Sequence, residues 1–258
     1  MKTPTPSNNI VNFFRSKPTP CPYLSGQIEQ QLFAELSGPN PLKTFDILSQ
    51  GGFRRSHQII YKPACKDCNE CIPVRIPVKK FKKSKAWRRC INRNIDLNVT
   101  VIGAKVSEEQ FSLFQQYIRI RHVEGEMSKM SRRDYAAMVL DSPVDTVMVE
   151  FRDRQSRLIA CCLMDRLDGG LSAVYSFFNP VEERRSLGTF VILWMIEEAK
   201  RLDLKHVYLG YWVAGSPKMD YKVRFRTLEC FGTEGWTEIE NLQNNSVINK
   251  LSRSTPKS

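Results

Sequence analysis

Three cysteines at even spacing, Cys65-x2-Cys68-x2-Cys71, are the sharpest local signal in this 258-residue chain. Thiolates so spaced can converge on one metal ion or iron–sulfur cluster, because a tight turn folds them onto a common centre. Arg75 stands where a fourth cysteine would continue the run, so Cys21 or Cys90 would have to complete the set. The candidate ligands are Cys21, Cys65, Cys68 and Cys71; the plain alternative is a surface turn of reduced thiols. Cys161, Cys162 and Cys230 lie in apolar surroundings and read as core residues. A second constellation gathers Tyr208, Tyr211, Trp212, Tyr221 and Lys222 around Gly210 and Gly215-Ser216-Pro217. Glycines permit close ligand approach, and Lys218, Lys222 and Arg224 add positive charge; otherwise such rings merely pack with polar tips. A third stretch, Arg185-Ser186-Leu187-Gly188-Thr189, opens the apolar run Phe190 to Ile196. Small residues at a helix amino end leave backbone N–H groups free to hold an anion, the skeleton of an acyl-transfer site. His57, His122 and His206 have no metal-binding spacing and read as structural.

From Arg75 to Arg93 there are nine Lys or Arg residues and no acid, with Phe81 and Trp87 among them. Lys79, Lys80, Lys82, Lys83, Lys85, Arg88 and Arg89 could neutralise phosphates, while Trp87 or Phe81 could stack on an unpaired base. The bland reading is a solvated charged face. The net charge of +12 favours the first, since it calls for a polyanionic partner, either nucleic acid or an anionic membrane surface.

These residues need a scaffold. Residues 1–20 are rich in proline and polar side chains and read as flexible, with one patch, Ile10 to Phe14, able to dock on the body. Ile28, Leu32 and Leu36 on one face suggest a helix over 27–36. Phe45 to Leu48 fits helix or strand. Strands are expected over 57–61, 72–78 and 96–102. Ser107-Glu108-Glu109-Gln110 is a capping box opening a helix to about His122, and Arg132 to Leu140 forms a short helix. Strands follow over 146–152 and 157–166, then a hairpin turn at Asp168-Gly169-Gly170 leads to Leu171–Phe178. A helix to about Arg201 and a strand from His206 to Trp212 complete the pattern, and 241–258 reads as a disordered tail.

The fold class is α+β: a small cysteine-bearing basic domain over 21–104 and an acyltransferase-like domain over 105–240. Hydrophobic residues make up 41%, enough for a real core, but no apolar run is long enough to span a bilayer. Lacking the apolar core of a signal peptide, the chain reads as cytoplasmic, so reduced or metal-bound cysteines are expected rather than disulfides.

The assembled motifs resemble the bacterial aspartate/glutamate leucyltransferases of the N-degron pathway, relatives of eukaryotic arginyl-tRNA–protein transferases. The resemblance rests on Cys21-Pro22-Tyr23-Leu24, Gly52-Phe53-Arg54-Arg55-Ser56 and Tyr61-x-Pro63-x-Cys65-x-x-Cys68-x-x-Cys71-x-Pro73-Val74-Arg75. It continues through Arg93-Asn94, Tyr175-Ser176-Phe177, Ser186-Leu187-Gly188-Thr189, Tyr208-Leu209-Gly210-Tyr211-Trp212 and Lys218-Met219-x-Tyr221-Lys222. Three departures stand out: Thr227 follows Phe225-Arg226 where the family has proline, Leu24 stands where the eukaryotic relatives carry a second cysteine, and the spaced cysteine triplet replaces their adjacent pair.

The resemblance implies a GNAT-like transfer domain that moves leucine from charged tRNA to the α-amine of proteins beginning with Asp or Glu. An aminoacyl ester is already activated, so no cofactor is required for the transfer itself. Ser186, Gly188 and Thr189 would hold the CCA end or the oxyanion, and Tyr175, Tyr208, Tyr211 and Trp212 would shape the aminoacyl-adenosine pocket. The acceptor's acidic side chain needs a cation, for which Arg54, Arg55, Lys218 and Lys222, with Tyr221 beside them, are the candidates. Arginine is the alternative donor. A coenzyme A-dependent acetyltransferase is disfavoured because Phe190 stands where a pyrophosphate loop wants Gly or Ala. A non-enzymatic, cysteine-rich RNA-binding module would leave the tyrosine-rich second half without a use.

Overall fold

The structure, a computed structural model, describes residues 10–121 and 126–239. The tail at 241–258, the first nine residues and His122 lie outside the described residues. In chain order the elements begin with β1 (Phe14–Arg15), β2 (Thr19–Pro20), β3 (Ile28–Glu29), β4 (Gln31–Glu35), α1 (Pro41–Gln50), β5 (Arg54–Ser56) and β6 (Ile59–Pro63). Then come β7 (Cys71–Pro77), α2 (Lys85–Asn92), β8 (Asn98–Gly103), α3 (Glu108–Arg121), α4 (Arg132–Leu140), β9 (Thr146–Arg152) and β10 (Leu158–Leu167). The series ends with β11 (Gly170–Phe178), α5 (Leu187–Arg201), β12 (His206–Val213), β13 (Glu229–Gly232) and β14 (Gly235–Glu238).

Two expectations near the amino end are corrected. The stretch 27–36 is strand, not helix: β4 pairs on one side with β1 and on the other with β6. Spacings of four put Ile28, Leu32 and Leu36 on one side of a strand as well as of a helix, so periodicity alone could not choose. Residues 10–20, read as flexible, carry two paired strands, β1 and β2, and Phe13 packs on Phe53 at 5.5 Å between ring centroids. Phe45 lies in helix α1, which Pro41 opens where a missing N–H costs nothing.

The main sheet has the order β14-β13-β7-β12-β11-β10-β9-β8. β7 and β8, from the first 104 residues, pair with β12, β13 and β9, so one sheet runs across the division expected at 104/105. One face lies under α5 and α2, where Leu171, Phe190, Met195, Val207 and Phe225 are buried. On the opposite face, α3 and α4 bury Phe114, Tyr135 and Phe177 over one half. The four-stranded sheet β1-β4-β6-β5 and α1 cover the other half with Ala34, Phe45 and Ile60. Covered on both faces, β10 is almost continuously apolar, as its sequence foretold. The capping box forms as expected: Ser107 Oγ accepts from Gln110 N, and Gln110 Oε1 accepts from Ser107 N, both at 3.1 Å.

Arg55 joins the small sheet to the large one. Its Nε and Nη2 donate to Asp165 at 2.7 and 2.8 Å, Thr146 Oγ1 donates to the same carboxylate at 2.6 Å, and both charged side chains are almost wholly buried. Removing one partner strands the other charge in a low-dielectric interior. Asp165→Asn is therefore expected to destabilise the fold by about 3–5 kcal/mol, a drop on the order of 10 °C in a thermal melt.

Candidate active site

Among the described residues, β11 and β12 are the one parallel pair in the main sheet, and α5 supplies the crossover such a pair requires. They pair only from Gly170–His206 to Ser172–Tyr208. Beyond Ser172 the two strands part, leaving a split whose backbone edges face each other without ladder bonds. Ligands in open sheets favour such places beyond the carboxyl ends of parallel strands.

Two cations enter the split. Arg54 crosses it from β5: Nη1 donates to Ser172 Oγ at 3.1 Å and Nη2 donates to Ala173 O. The crossing requires Gly210, whose φ is +78° and where a Cβ would stand 3.3 Å from Arg54 Nε. Lys222, from the turn that closes the open end, is 5% exposed and donates to Tyr211 O and, at 3.2 Å, to Met219 Sδ. Burial lowers its pKa to about 7, and the neighbouring Arg54 guanidinium pushes in the same direction. Among the described residues, no ion pair joins Arg54 or Lys222 to a carboxylate.

The other two candidate cations are placed elsewhere. Arg55 is consumed by Asp165 in the core, and Lys218 is exposed on the 216–221 turn. Tyr221, in the same turn, is exposed, and its ring centroid lies 5.8 Å from Lys222 Nζ. Tyr117 was missed from the sequence, where its place in Gln115-Gln116-Tyr117-Ile118-Arg119 reads as an ordinary helix face. Its ring packs edge-on against Phe178 at 4.8 Å, at the carboxyl end of β11.

The aromatic residues expected to shape one pocket divide among three places. Tyr175 faces α3, with a buried hydroxyl that has no hydrogen-bond partner among the described residues. Trp212 faces the α5 side, and its Nε1 is likewise buried without a partner. Tyr211 ties the sheets together, its hydroxyl 3.1 Å from Gly52 O and 3.0 Å from Tyr61 O. Tyr208 is removed from the split: it packs under the small sheet and Trp236, with its hydroxyl 3.4 Å from Arg75 Nη1.

Ser186 is the N-cap of α5 in a left-handed conformation, φ 54°, and its side chain does not cap the helix. Gly188 and Thr189 lie in the first turn, and Gly188 is small because a Cβ there would meet Phe178 Cε1 at 3.1 Å. Arg185, which a pyrophosphate loop would turn toward its ligand, is instead bidentate to Asp96 at 2.8 and 2.9 Å, and Phe190 is core.

The basic segment forms the 78–80 turn and α2. Lys79, Lys80, Lys82, Lys85, Arg88 and Arg89 are exposed; Lys80 pairs with Glu238, and Lys83 with Glu197 at 2.8 Å. The expectation that Trp87 or Phe81 stacks on a base is corrected. Trp87 lies flat on Phe225 at 4.9 Å, and Phe81 joins the same core. The amphipathic helix spends its rings inward and its charges outward.

Cys65, Cys68 and Cys71 lie between the end of β6 and the start of β7. The Cys71 thiol is pushed up to about 12 by burial and then by Cys21, Cys65 and Cys68. Cys90 lies apart, its Sγ 3.8 Å from the carbonyls of Arg185 and Ser186. Four thiols suit zinc or an iron–sulfur cluster as a donor set. As folded, however, no three His, Cys, Asp or Glu residues among the described residues converge as a metal would require. A hollow of about 300 Å³ between α3 and the start of β10, lined by Glu109, Gln116, Arg157 and Asn179 among others, holds none of the predicted residues. No helix among the described residues is long and apolar enough to cross a membrane.

Comparison with known proteins places this geometry in context. The family model described as "Arginine-tRNA-protein transferase, N terminus" matches residues 19–89, and its C-terminus counterpart matches residues 109–232. A protein of Rhodospirillum rubrum named aspartate/glutamate leucyltransferase is 48% identical over 236 residues, covering 91% of this chain and 96% of the relative. One of the same name from Paramagnetospirillum magneticum is 50% identical over 224 residues, covering 87% and 92%. Among solved structures, L-PGS from Bacillus licheniformis aligns with a TM-score of 0.45 at 10% identity, over 66% of this chain and 50% of that one. Spanned nearly end to end by both family models and by relatives near half identity, the chain belongs to the arginine-tRNA-protein transferase family, among its aspartate/glutamate leucyltransferases.

Proposed function

We propose that this enzyme transfers leucine from Leu-tRNA to the α-amine of proteins whose first residue is Asp or Glu, marking them for N-degron degradation in the cytoplasm. One observation carries the acceptor side: Arg54 and Lys222 stand together in the split with no carboxylate among the described residues to neutralise them. Two desolvated cations without counter-ions are costly unless a ligand supplies the anion. An acidic side chain does so, and Arg54 can meet it with a planar fork of donors.

The same split supports leucine over arginine as donor. The three buried carboxylates among the described residues, Glu150, Asp153 and Asp165, are already held by Arg152, Arg157 and Arg55. None is left to receive an arginyl side chain, whereas leucine asks only for apolar surface.

The reaction requires little covalent chemistry from the protein. The ester is activated, and an α-amine with an ordinary pKa of about 7.7–8.0 is partly neutral near pH 7. The protein must hold amine and ester together, with the amino end of α5 toward the CCA end and the basic surface toward the tRNA backbone. The cysteines take no part in this scheme.

The test is transfer of labelled leucine and arginine from their tRNAs, in parallel, to peptides beginning with Asp, Glu, Lys or Ala. Leucine moving only to the Asp and Glu peptides is the expected result; transfer from neither tRNA would overturn the proposal. Reversing charge at Lys85, Arg88 and Arg89 together should raise KM for Leu-tRNA at least about tenfold and flatten its salt dependence. All three are exposed, so the melting temperature should hold.

A further inference from the structure

The hydroxyl of Tyr175 is unexplained by folding. It is buried, yet it has no hydrogen-bond partner among the described residues. A phenylalanine would fill the same place beside Phe114 and Phe177, whose rings stand 6.1 and 6.5 Å away, without burying a polar group unsatisfied. Such a group is retained at a cost to stability, and a ligand is what would satisfy it.

The position of Tyr175 relates its hydroxyl to the split. It stands on β11 beyond Ser172, where the strand has parted from β12. Tyr117 from α3 packs on Phe178 at 4.8 Å, at the same end of β11, and Arg54 donates to Ala173 O, two residues before Tyr175 on that strand; this is the guanidinium assigned above to the acceptor's carboxylate. Burial also holds the Tyr175 phenol well above its ordinary value, so it remains a donor throughout the working range of pH.

We propose that Tyr175 donates its hydroxyl hydrogen bond to the carbonyl oxygen of the aminoacyl ester, the atom on which negative charge develops during transfer. This rests on the transfer reading of the same split. The amine nitrogen's lone pair forms the new C–N bond, and the carbonyl π pair moves onto the oxygen held by the phenol. When the carbonyl re-forms, the bond from carbon to the ribose oxygen breaks, and that oxygen takes the proton released by nitrogen. The phenol keeps its own proton throughout. It acts as a placed donor rather than an acid.

Wild-type protein and Tyr175→Phe are compared in single-turnover transfer from Leu-tRNA to an Asp-initial peptide, with KM for both substrates and a thermal melt. The expected loss is about 10²–10³-fold in kcat, as for other donors to a developing oxyanion. KM should stay within about threefold for both substrates, because the bond matters chiefly in the transition state. The melting temperature should hold or rise, since the variant removes an unsatisfied buried hydroxyl. A variant with kcat within threefold of wild type overturns the inference, and so does one whose lost activity comes with a lowered melting temperature. Failure of the underlying reading looks different: the wild-type protein itself would transfer nothing.

Discussion

Arg54→Ala and Lys222→Met are each expected to lower kcat/KM for Asp- and Glu-initial peptides by about 10²–10³-fold, the usual consequence of removing one partner from a buried charge pair. Lys218→Ala should leave kcat/KM within about twofold, because its side chain is exposed on the turn rather than held in the split. The contrast matters more than either number, since all these positions carry the same charge and lie in the matching motifs. Arg55 is left out, as any change there breaks the buried ion pair with Asp165 and is read first as unfolding. Equal losses at Lys218 and Lys222 would sink the assignment.

Lys222→Met has a second consequence, of opposite sign. The folded pKa of Lys222, about 7, lies below its ordinary value of 10.5. Below pH 7 both folded and unfolded chains hold the proton, and the folded state bears the whole penalty of a buried charge. Between 7 and 10.5 the folded state sheds the proton first, so the penalty shrinks as pH rises. At about 1.4 kcal/mol per unit, the net penalty at pH 6 is on the order of 4–5 kcal/mol. The methionine variant should therefore melt higher than wild type at pH 6 while being nearly inactive, and its advantage should fade toward pH 10.

The second large effect is the pH profile of kcat/KM. The acceptor must present a neutral amine, which titrates near 7.7–8.0, and the enzyme must present a charged Lys222, which titrates near 7. One fraction rises with pH while the other falls, so the profile should be a bell peaking between these values. Lys222→Arg keeps its charge at every working pH. Any activity it retains should climb to a plateau above pH 8 with no alkaline limb. A wild-type profile that climbs to the same plateau would show that Lys222 does not read the acceptor.

Much of this protein could be read from its sequence because the relevant information is local. The helix at 108–121 is announced by a capping box spanning four residues, and β10 by an apolar run that only a doubly covered strand would carry. The family is legible for a related reason: its motifs are short, ordered and rich in glycine, aromatic and basic residues. Local pattern failed at 27–36, where the same spacing satisfies both periods and only the pairing partners β1 and β6, from elsewhere in the chain, decide for strand.

Roles within the site were decided by tertiary structure alone. Arg54 and Arg55 are adjacent and chemically identical, but strand alternation turns them apart. Arg55 meets Asp165, 110 residues away, and is neutralised in the core, while Arg54 reaches the split between β11 and β12. Trp87 is drawn inward by Phe225 and Tyr208 by Trp236, neither of them a sequence neighbour. Composition determined that this protein would be basic, and local pattern that it would be mixed in structure. Which charges remain unneutralised, and which hydroxyl remains unsatisfied, depends on contacts made between distant parts of the chain.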